Sequence, residues 1–253
     1  DPNITWFNYV QDSVPAGESG TRNTDDKTVP VHQLSASLRA YTMLPTAKSA
    51  VYPKLGIGAE IGVRTWNASD WRFTPSAYAY VYGYLPGFMD THGIRLSAIY
   101  QKQLHESFSL VSSNTVNTVP RGMYGSDADT FLAAFCPDQA KFSFDYALPL
   151  LPVDWSFLSP LAYIKNFEIK PFFDFTILDY NENLTYRDFL SGNCLYSTGG
   201  DISIRLSNLL WLPYDSKVGV RLAFNGGNAY KPLDNIGADI DRFYAGLLFS
   251  TSF

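Results

Sequence analysis

Few residues of this sequence have the types and spacing that catalysis requires. The chain has three histidines, and they are scattered: His32, His92 and His105, which is followed by Glu106. A histidine beside a carboxylate is an arrangement that acid–base catalysis uses, but scattered histidines are more often polar surface residues. No serine–histidine–asparagine spacing indicates a hydrolase triad. We therefore predict that the chain is not an enzyme and that it holds no cofactor and no metal.

Charged residues instead recur at alternate positions inside apolar segments. In residues 166–177, "NFEIKPFFDFTI", large apolar residues alternate with Glu168, Lys170 and Asp174. This period of two is the pattern of a β-strand with two different faces. In every such segment the charges fall on the face opposite the apolar one: Arg39, Glu60, Arg64, Arg95, Asp145, Glu168, Lys170, Asp174, Arg205 and Arg221.

The elements that carry these charges are ten predicted strands. They cover residues 3–10, 32–44, 51–65, 73–85, 92–105, 141–149, 166–178, 196–212, 216–225 and 242–253. Strand 73–85 has tyrosines on one face and small apolar residues on the other, so either face could meet lipid. We treat residues 1–253 as one domain.

Alternation alone also fits a soluble sandwich, but these strands are long and their apolar faces carry Phe, Leu and Ile throughout. Their polar faces mix charge with Gly and Ser, which is typical of a transmembrane β-barrel with lipid outside and a polar lumen inside. Only 17% of residues are charged, below the roughly 25% of soluble domains. No window reaches the ~18 apolar residues of a membrane helix. The net charge of −5 gives no reason to expect nucleic acid as a partner.

The connections between strands predict an orientation. Phe253 ends the last strand, and a terminal aromatic residue resembles the assembly signal of bacterial outer-membrane proteins, whose C-terminus is periplasmic. Counting back from it, connections 45–50, 86–91, 150–165 and 213–215 become periplasmic. The external ones, 11–31, 66–72, 106–140, 179–195 and 226–241, are mostly longer, as in such barrels. Leu-Pro pairs occur in all four periplasmic regions, where we expect proline to end the strand ladder.

Three motifs carry a family resemblance. "VPRGMYGS" occupies residues 119–126 in the longest external loop, "PFFDFTI" residues 171–177 and "STGGDISIRL" residues 197–206. Together they resemble the surface-antigen superfamily of outer-membrane barrels, which includes the outer-membrane insertase and the two-partner secretion transporters. The match covers mainly residues 115–253, and it extends to barrels of Bacteroidota. The family has sixteen strands, so the chain would be the C-terminal part of a larger barrel of a Gram-negative outer membrane.

The resemblance implies a site in which loop 106–140 is latched inside the lumen. The loop motif of the family corresponds to Arg121, Gly122 and Tyr124, and its partner motif to Phe172 and Asp174. The arginine would pair with the acidic residue, a bidentate arrangement that suits a narrow lumen. Met123 is inserted before the aromatic residue, which departs from the family pattern. The implied function is protein translocation or insertion at the outer membrane, with client polypeptides, protein partners and outer-membrane lipid as partners.

Other interpretations stay open at this point. A passive pore or structural barrel subunit would use the luminal charges, in which Arg and Lys outnumber Asp and Glu, to favour anions. A ten-stranded rim hydrolase of the omptin type is the less favoured alternative. Cys136 and Cys194 both fall in external loops of an exported chain, so we predict a disulfide between them; the alternative is two free thiols.

Overall fold

The structure, a computed structural model, describes residues 3–11, 29–44, 50–68, 73–104, 118–123, 138–156, 163–178, 194–207, 215–229 and 241–252. These residues form ten β-strands and one single-turn 3-10 helix, Arg121–Met123. The strands are β1 Asn3–Gln11, β2 Val29–Met43, β3 Gly56–Ala68, β4 Phe73–Pro86, β5 Gly93–Gln103, β6 Gln139–Trp155, β7 Tyr163–Leu178, β8 Cys194–Ser207, β9 Asp215–Gly226 and β10 Phe243–Ser252. No helix in this part of the chain is long and apolar enough to cross a membrane.

The strands form one antiparallel sheet in which each strand pairs with its neighbours in sequence, from β1 to β10. The prediction of an all-β chain of antiparallel strands is therefore confirmed. Among the described residues β1 and β10 are the two edges, so the sheet is open and is not closed into a barrel. Because consecutive strands run in opposite directions, the connections alternate between the two ends of the sheet. Connections 44–55, 87–92, 156–162 and 208–214 share one end.

The prediction that proline ends the strand ladder is confirmed in part. β2 ends at Met43 and β4 ends at Pro86, as expected, whereas the pair at 212–213 lies outside the described residues. The predicted end of the sixth strand at Pro149 is wrong, because β6 continues to Trp155. Its pairing with β7 shifts register after Pro149 and again after Pro152. These irregularities accommodate residues that have no N–H to donate to the ladder.

One face of the sheet carries the charges. Opposed residues of paired strands share a face, and the register places Arg39 opposite Glu60, Arg95 opposite Asp145, and Asp201 opposite both Lys170 and Arg221. The same register puts the other predicted luminal charges whose side chains are described, Glu168 and Arg205, on this side, which we call the polar face. Arg64 pairs with Ser35, but its side chain lies outside the described part.

Along β6–β10 burial is inverted between the two faces. Polar-face residues such as Glu168 and Asp201 are 3% and 1% exposed, whereas Phe224 and Leu247 on the opposite, apolar face are 62% and 88% exposed. On β2 the polar face is exposed as well, since Tyr41 is 66% exposed. A soluble sheet buries its large apolar side chains and exposes its charges, so β6–β10 show the opposite arrangement.

The tyrosines of β4 belong to the polar face. Tyr80 lies opposite Glu60, and Tyr84 lies opposite Arg95. Val81, on the apolar face, is 45% exposed. The sequence left open which face of β4 carries the tyrosines on the polar side. The cross-strand pairing places them on the polar face, where glycines of β3 leave room for the aromatic rings.

Candidate functional site: a loop segment on the polar face

Residues 118–123 of the long loop lie on the polar face of β6–β9. The turn is closed by the amide of Met123, which donates to the carbonyl of Pro120 at 2.9 Å. Val119, Gly122 and Met123 are buried. A short irregular segment buries its backbone only where polar partners satisfy it, and we call this piece of chain the docked segment.

Arg121 makes the strongest contacts of the docked segment. Its Nε and Nη2 atoms donate to the two carboxylate oxygens of Asp174 at 2.8 and 2.7 Å, and its backbone amide donates to Asp174 Oδ2 at 2.9 Å. Nη1 forms an ion pair with Asp145 Oδ1 at 2.5 Å. One guanidinium thus binds two carboxylates from adjacent strands, β6 and β7. Bidentate pairs of this type fix geometry as well as adding energy.

The two carboxylates around Arg121 favour the charged form of its guanidinium. Burial by itself lowers the pKa of the guanidinium, but its hydrogen bond and Coulombic attraction to Asp174, together with Asp145, outweigh burial and raise that pKa above its usual value. The aromatic ring of Phe172 lies under the same group, with Cζ of Arg121 4.1 Å from the ring centroid. This distance lies within the range of a cation–π interaction.

The backbone of the docked segment is held by side chains of four strands. Lys141 Nζ donates to the carbonyl of Val119 and Thr176 Oγ1 to the carbonyl of Thr118, each at 2.6 Å. On the other side, Gly122 N donates to Ser197 Oγ at 3.1 Å, and Asn225 Nδ2 donates to the carbonyl of Gly122 at 2.8 Å. The segment is therefore bound through its backbone as well as through Arg121.

Gly122 has no room for a side chain. A Cβ atom at this position would lie 2.9 Å from Ala223 Cβ and 2.5 Å from Ser197 Oγ, and closer still to Asn225 Oδ1. All three neighbours belong to strands. A glycine is thus required here by close approach to the sheet.

The structure brings together four of the five latch residues named from the sequence: Arg121, Gly122, Phe172 and Asp174. Tyr124 lies outside the described residues, as do Phe253 and Cys136; Cys194 is the first residue of β8. Sequence reasoning missed Lys141, Thr176, Ser197 and Asn225. They occupy inward positions of alternating strands, and their contacts with the docked segment depend on where the loop lies.

Most acidic side chains of the polar face are neutralised by a neighbour. Ion pairs besides those of Arg121 include Arg39–Glu60, Lys170–Asp201 at 3.2 Å, Arg221–Asp201 at 2.7 Å, Lys217–Glu168 at 2.8 Å and Arg205–Asp215 at 2.8 Å. Asp201 is shared by two cations, so these pairs offset much of the positive charge but not all of it.

The structure describes the side chain of one of the three histidines, His92. His92 shares a hydrogen bond of 2.9 Å with the hydroxyl of Tyr146, near the tight turn after β4. The side chain of His32 and all of His105 lie outside what the structure describes. Among the described residues, no group of three His, Cys, Asp or Glu side chains could hold a metal ion.

In comparisons with known proteins, no family model, curated protein or solved structure matches this chain.

Proposed function

We propose that this chain is the wall of a transmembrane β-barrel in a Gram-negative outer membrane and takes part in translocating or inserting proteins there. The inverted burial along β6–β10 supports the membrane part, since an exposed band of Phe, Leu, Ile and Val is stable against lipid rather than water. The C-terminus and the short connections would face the periplasm, and the long loops the exterior. The open edges β1 and β10 are compatible with the proposal that further strands complete a sixteen-stranded barrel.

The observation that carries the functional part is the docked segment with its Arg121–Asp174 pair. A loop segment fixed to the polar face by a buried bidentate ion pair narrows any path that this face lines. The motifs around Arg121 and Asp174 resemble the surface-antigen superfamily, in which the latched loop accompanies protein transport. In the proposed mechanism the docked segment stays on β6–β9 while a client polypeptide passes through or folds at another part of the wall.

A passive anion-selective pore is the competing interpretation, and the ion pairs argue against it. Selectivity requires charges whose field reaches the permeating ion. Here most of the described arginines and lysines that would provide that field face carboxylates at short distance, with Arg95 as an exception. Steady anion-selective conductance in planar bilayers would favour the pore, whereas a blocked, flickering conductance would favour the docked segment.

The test is insertion of a client into liposomes that contain the purified chain. A urea-unfolded outer-membrane barrel protein would be diluted onto these liposomes and onto protein-free ones, and its folding followed by protease resistance. We expect faster folding with the wild-type chain and loss of that acceleration with Arg121→Ala. Lys54→Ala is the matched control, because it removes a cation from an exposed ion pair with Asp90. Equal folding rates with and without the chain would refute the proposed function.

A further inference from the structure

The two halves of the polar face differ in what covers them. The half formed by β6–β9 holds the docked segment, whereas the half formed by β3–β5 carries a row of tyrosines: Tyr78, Tyr80, Tyr82 and Tyr84. All four side chains are half-buried. Their ring centroids are separated by 5.1 Å between Tyr80 and Tyr82 and by 5.8 Å between Tyr82 and Tyr84. Tyr52, whose ring centroid lies 5.4 Å from that of Tyr84, extends the row to the end of the sheet.

Two of the rings rest directly on the backbone of β3. A Cβ atom at Gly62 would lie 2.5 Å from Tyr78 Cε1, and one at Gly58 would lie 2.8 Å from Tyr82 Cε1. Each ring therefore covers a glycine of the neighbouring strand. Rings held in this way are fixed before any ligand arrives, so that binding to them orders few side-chain torsions.

The polar groups around the row include one carboxylate, Glu60, and two guanidiniums, Arg39 and Arg95. Tyr78 donates to Glu60 Oε1 at 2.7 Å, and Arg39 Nε donates to Glu60 Oε2 at 2.6 Å. Arg95 Nη2 donates to the hydroxyl of Tyr80 at 2.5 Å, while Arg95 Nε is buried without a hydrogen-bond partner. The surface is thus amphipathic, with one arginine that has no carboxylate partner and a donor still available. It suits a chain that offers apolar groups and carbonyl oxygens.

We propose that this tyrosine row binds an extended segment of a client polypeptide, an inference that rests on the proposed function. The same face already holds a peptide on its other half, where side chains bind the backbone of the docked segment and the ring of Phe172 lies under Arg121. The tyrosine row offers the same chemistry to a second segment. Tyrosine gives large contact area and one hydroxyl at low entropic cost, which tolerates varied sequences.

The experiment measures binding of a defined peptide to the purified chain in detergent micelles. The probe is a neutral, fluorescently labelled peptide with proline at alternate positions, since proline prevents it from adding to the edge strands. We expect the double variant Tyr80→Ala, Tyr82→Ala to bind about 25-fold more weakly, from about fivefold for each aromatic ring. Tyr100→Ala is the matched control, because this tyrosine lies on the apolar face, opposite Ala79. It should change the dissociation constant by less than about twofold.

A second measurement does not depend on removing a ring that covers a glycine. A photoreactive benzoylphenylalanine at position 80 should crosslink to the peptide, and the same group at position 100 should not. Unchanged affinity in the double variant together with crosslinks from position 80 only into this chain would overturn the inference. The same titration with maltodextrin tests a carbohydrate as the alternative ligand. If the wild-type chain binds maltodextrin and the double variant loses that binding while it still binds the peptide, the inference is also overturned.

The inference and the proposed function fail in different ways. If the double variant accelerates client folding in liposomes as well as wild type does, the tyrosine row is not the client surface, and the proposed function stands. If the wild-type chain gives no acceleration, the proposed function fails. The peptide measurements then decide the inference independently.

Discussion

Replacing Gly122 by alanine tests whether the docked segment is held by close contact with the sheet. The added methyl group would overlap Ser197 and Asn225 and would lie 2.9 Å from Ala223 Cβ. These residues are fixed in β8 and β9, so the segment must move outward. That movement breaks the hydrogen bonds that join Gly122 to Ser197 Oγ at 3.1 Å and to Asn225 Nδ2 at 2.8 Å.

The size of the effect follows from these contacts. Two buried hydrogen bonds contribute about 1 kcal/mol each, and the strain of overpacking adds about 1 kcal/mol. A total of about 3 kcal/mol raises the equilibrium population of the undocked state by about 100-fold, because 1.4 kcal/mol corresponds to a factor of ten. The bonds of Arg121 to Asp174 and Asp145 oppose release, so the segment should open more often without leaving permanently.

Hydrogen–deuterium exchange of residues 118–123, read by mass spectrometry, measures this opening. The amides of Arg121, Gly122 and Met123 donate to Asp174, Ser197 and Pro120 in the docked state, and they exchange only when it opens. We expect exchange about 100-fold faster in Gly122→Ala than in wild type. Gly83→Ala is the control, because the nearest atom to its added Cβ would be 3.8 Å away. Wild-type protection in Gly122→Ala would refute the docking geometry.

The remaining predictions concern stability and lipid exposure. Asp174→Ala leaves the buried guanidinium of Arg121 with Asp145 as its carboxylate partner, and it should lower the free energy of unfolding in urea titrations by about 3 kcal/mol. The control Lys54→Ala removes a cation from an exposed pair and should lower it by less than ~0.5 kcal/mol. Equal effects of the two substitutions would contradict the anchoring role of Asp174. Tyr78→Phe removes the hydroxyl that donates to Glu60 and should cost about 1 kcal/mol in the same titration; an unchanged midpoint would show that this hydrogen bond adds no stability. Leu247→Arg, on the apolar face, should lower the free energy of unfolding in liposomes by about 3 kcal/mol, while its neighbour Leu248→Arg, on the polar face, should be tolerated; the reverse order would invert our assignment of the faces.

The period-two pattern predicted much of the fold because it is a local property of the sequence. Every predicted strand has a counterpart, and the inward positions of residues such as Glu168 and Arg205 agree with the register. Several predicted boundaries differ from the observed ones by a few residues, and two of them differ because proline occurs both at strand ends and inside strands. Pro53 lies in a predicted strand start, but β3 begins only at Gly56, while Pro149 and Pro152 lie within β6 at register shifts rather than at its end.

The docking contacts of the site could not be read from the sequence, because they depend on where a distant loop lies. Lys141, Ser197 and Asn225 are ordinary inward positions until the backbone of the docked segment is placed against them. Resemblance to a family motif supplied Arg121 and Asp174, since that pairing spans two elements far apart in sequence. The orientation of the β4 tyrosines likewise required the neighbouring glycines of β3, because Tyr, Ala and Val all fit either environment.

The most direct test of the account is a nitroxide scan along β9 of the chain reconstituted in liposomes. Single labels at residues 217–222 would be tested for collision with oxygen, which concentrates in lipid, and with a water-soluble nickel chelate. We predict strong oxygen collision at Val218, Val220 and Leu222, with the alternate positions Lys217, Gly219 and Arg221 protected from it. Uniform access to the nickel chelate at Val218, Val220 and Leu222 would place the apolar face in water and contradict the proposal that this sheet is the wall of a membrane barrel.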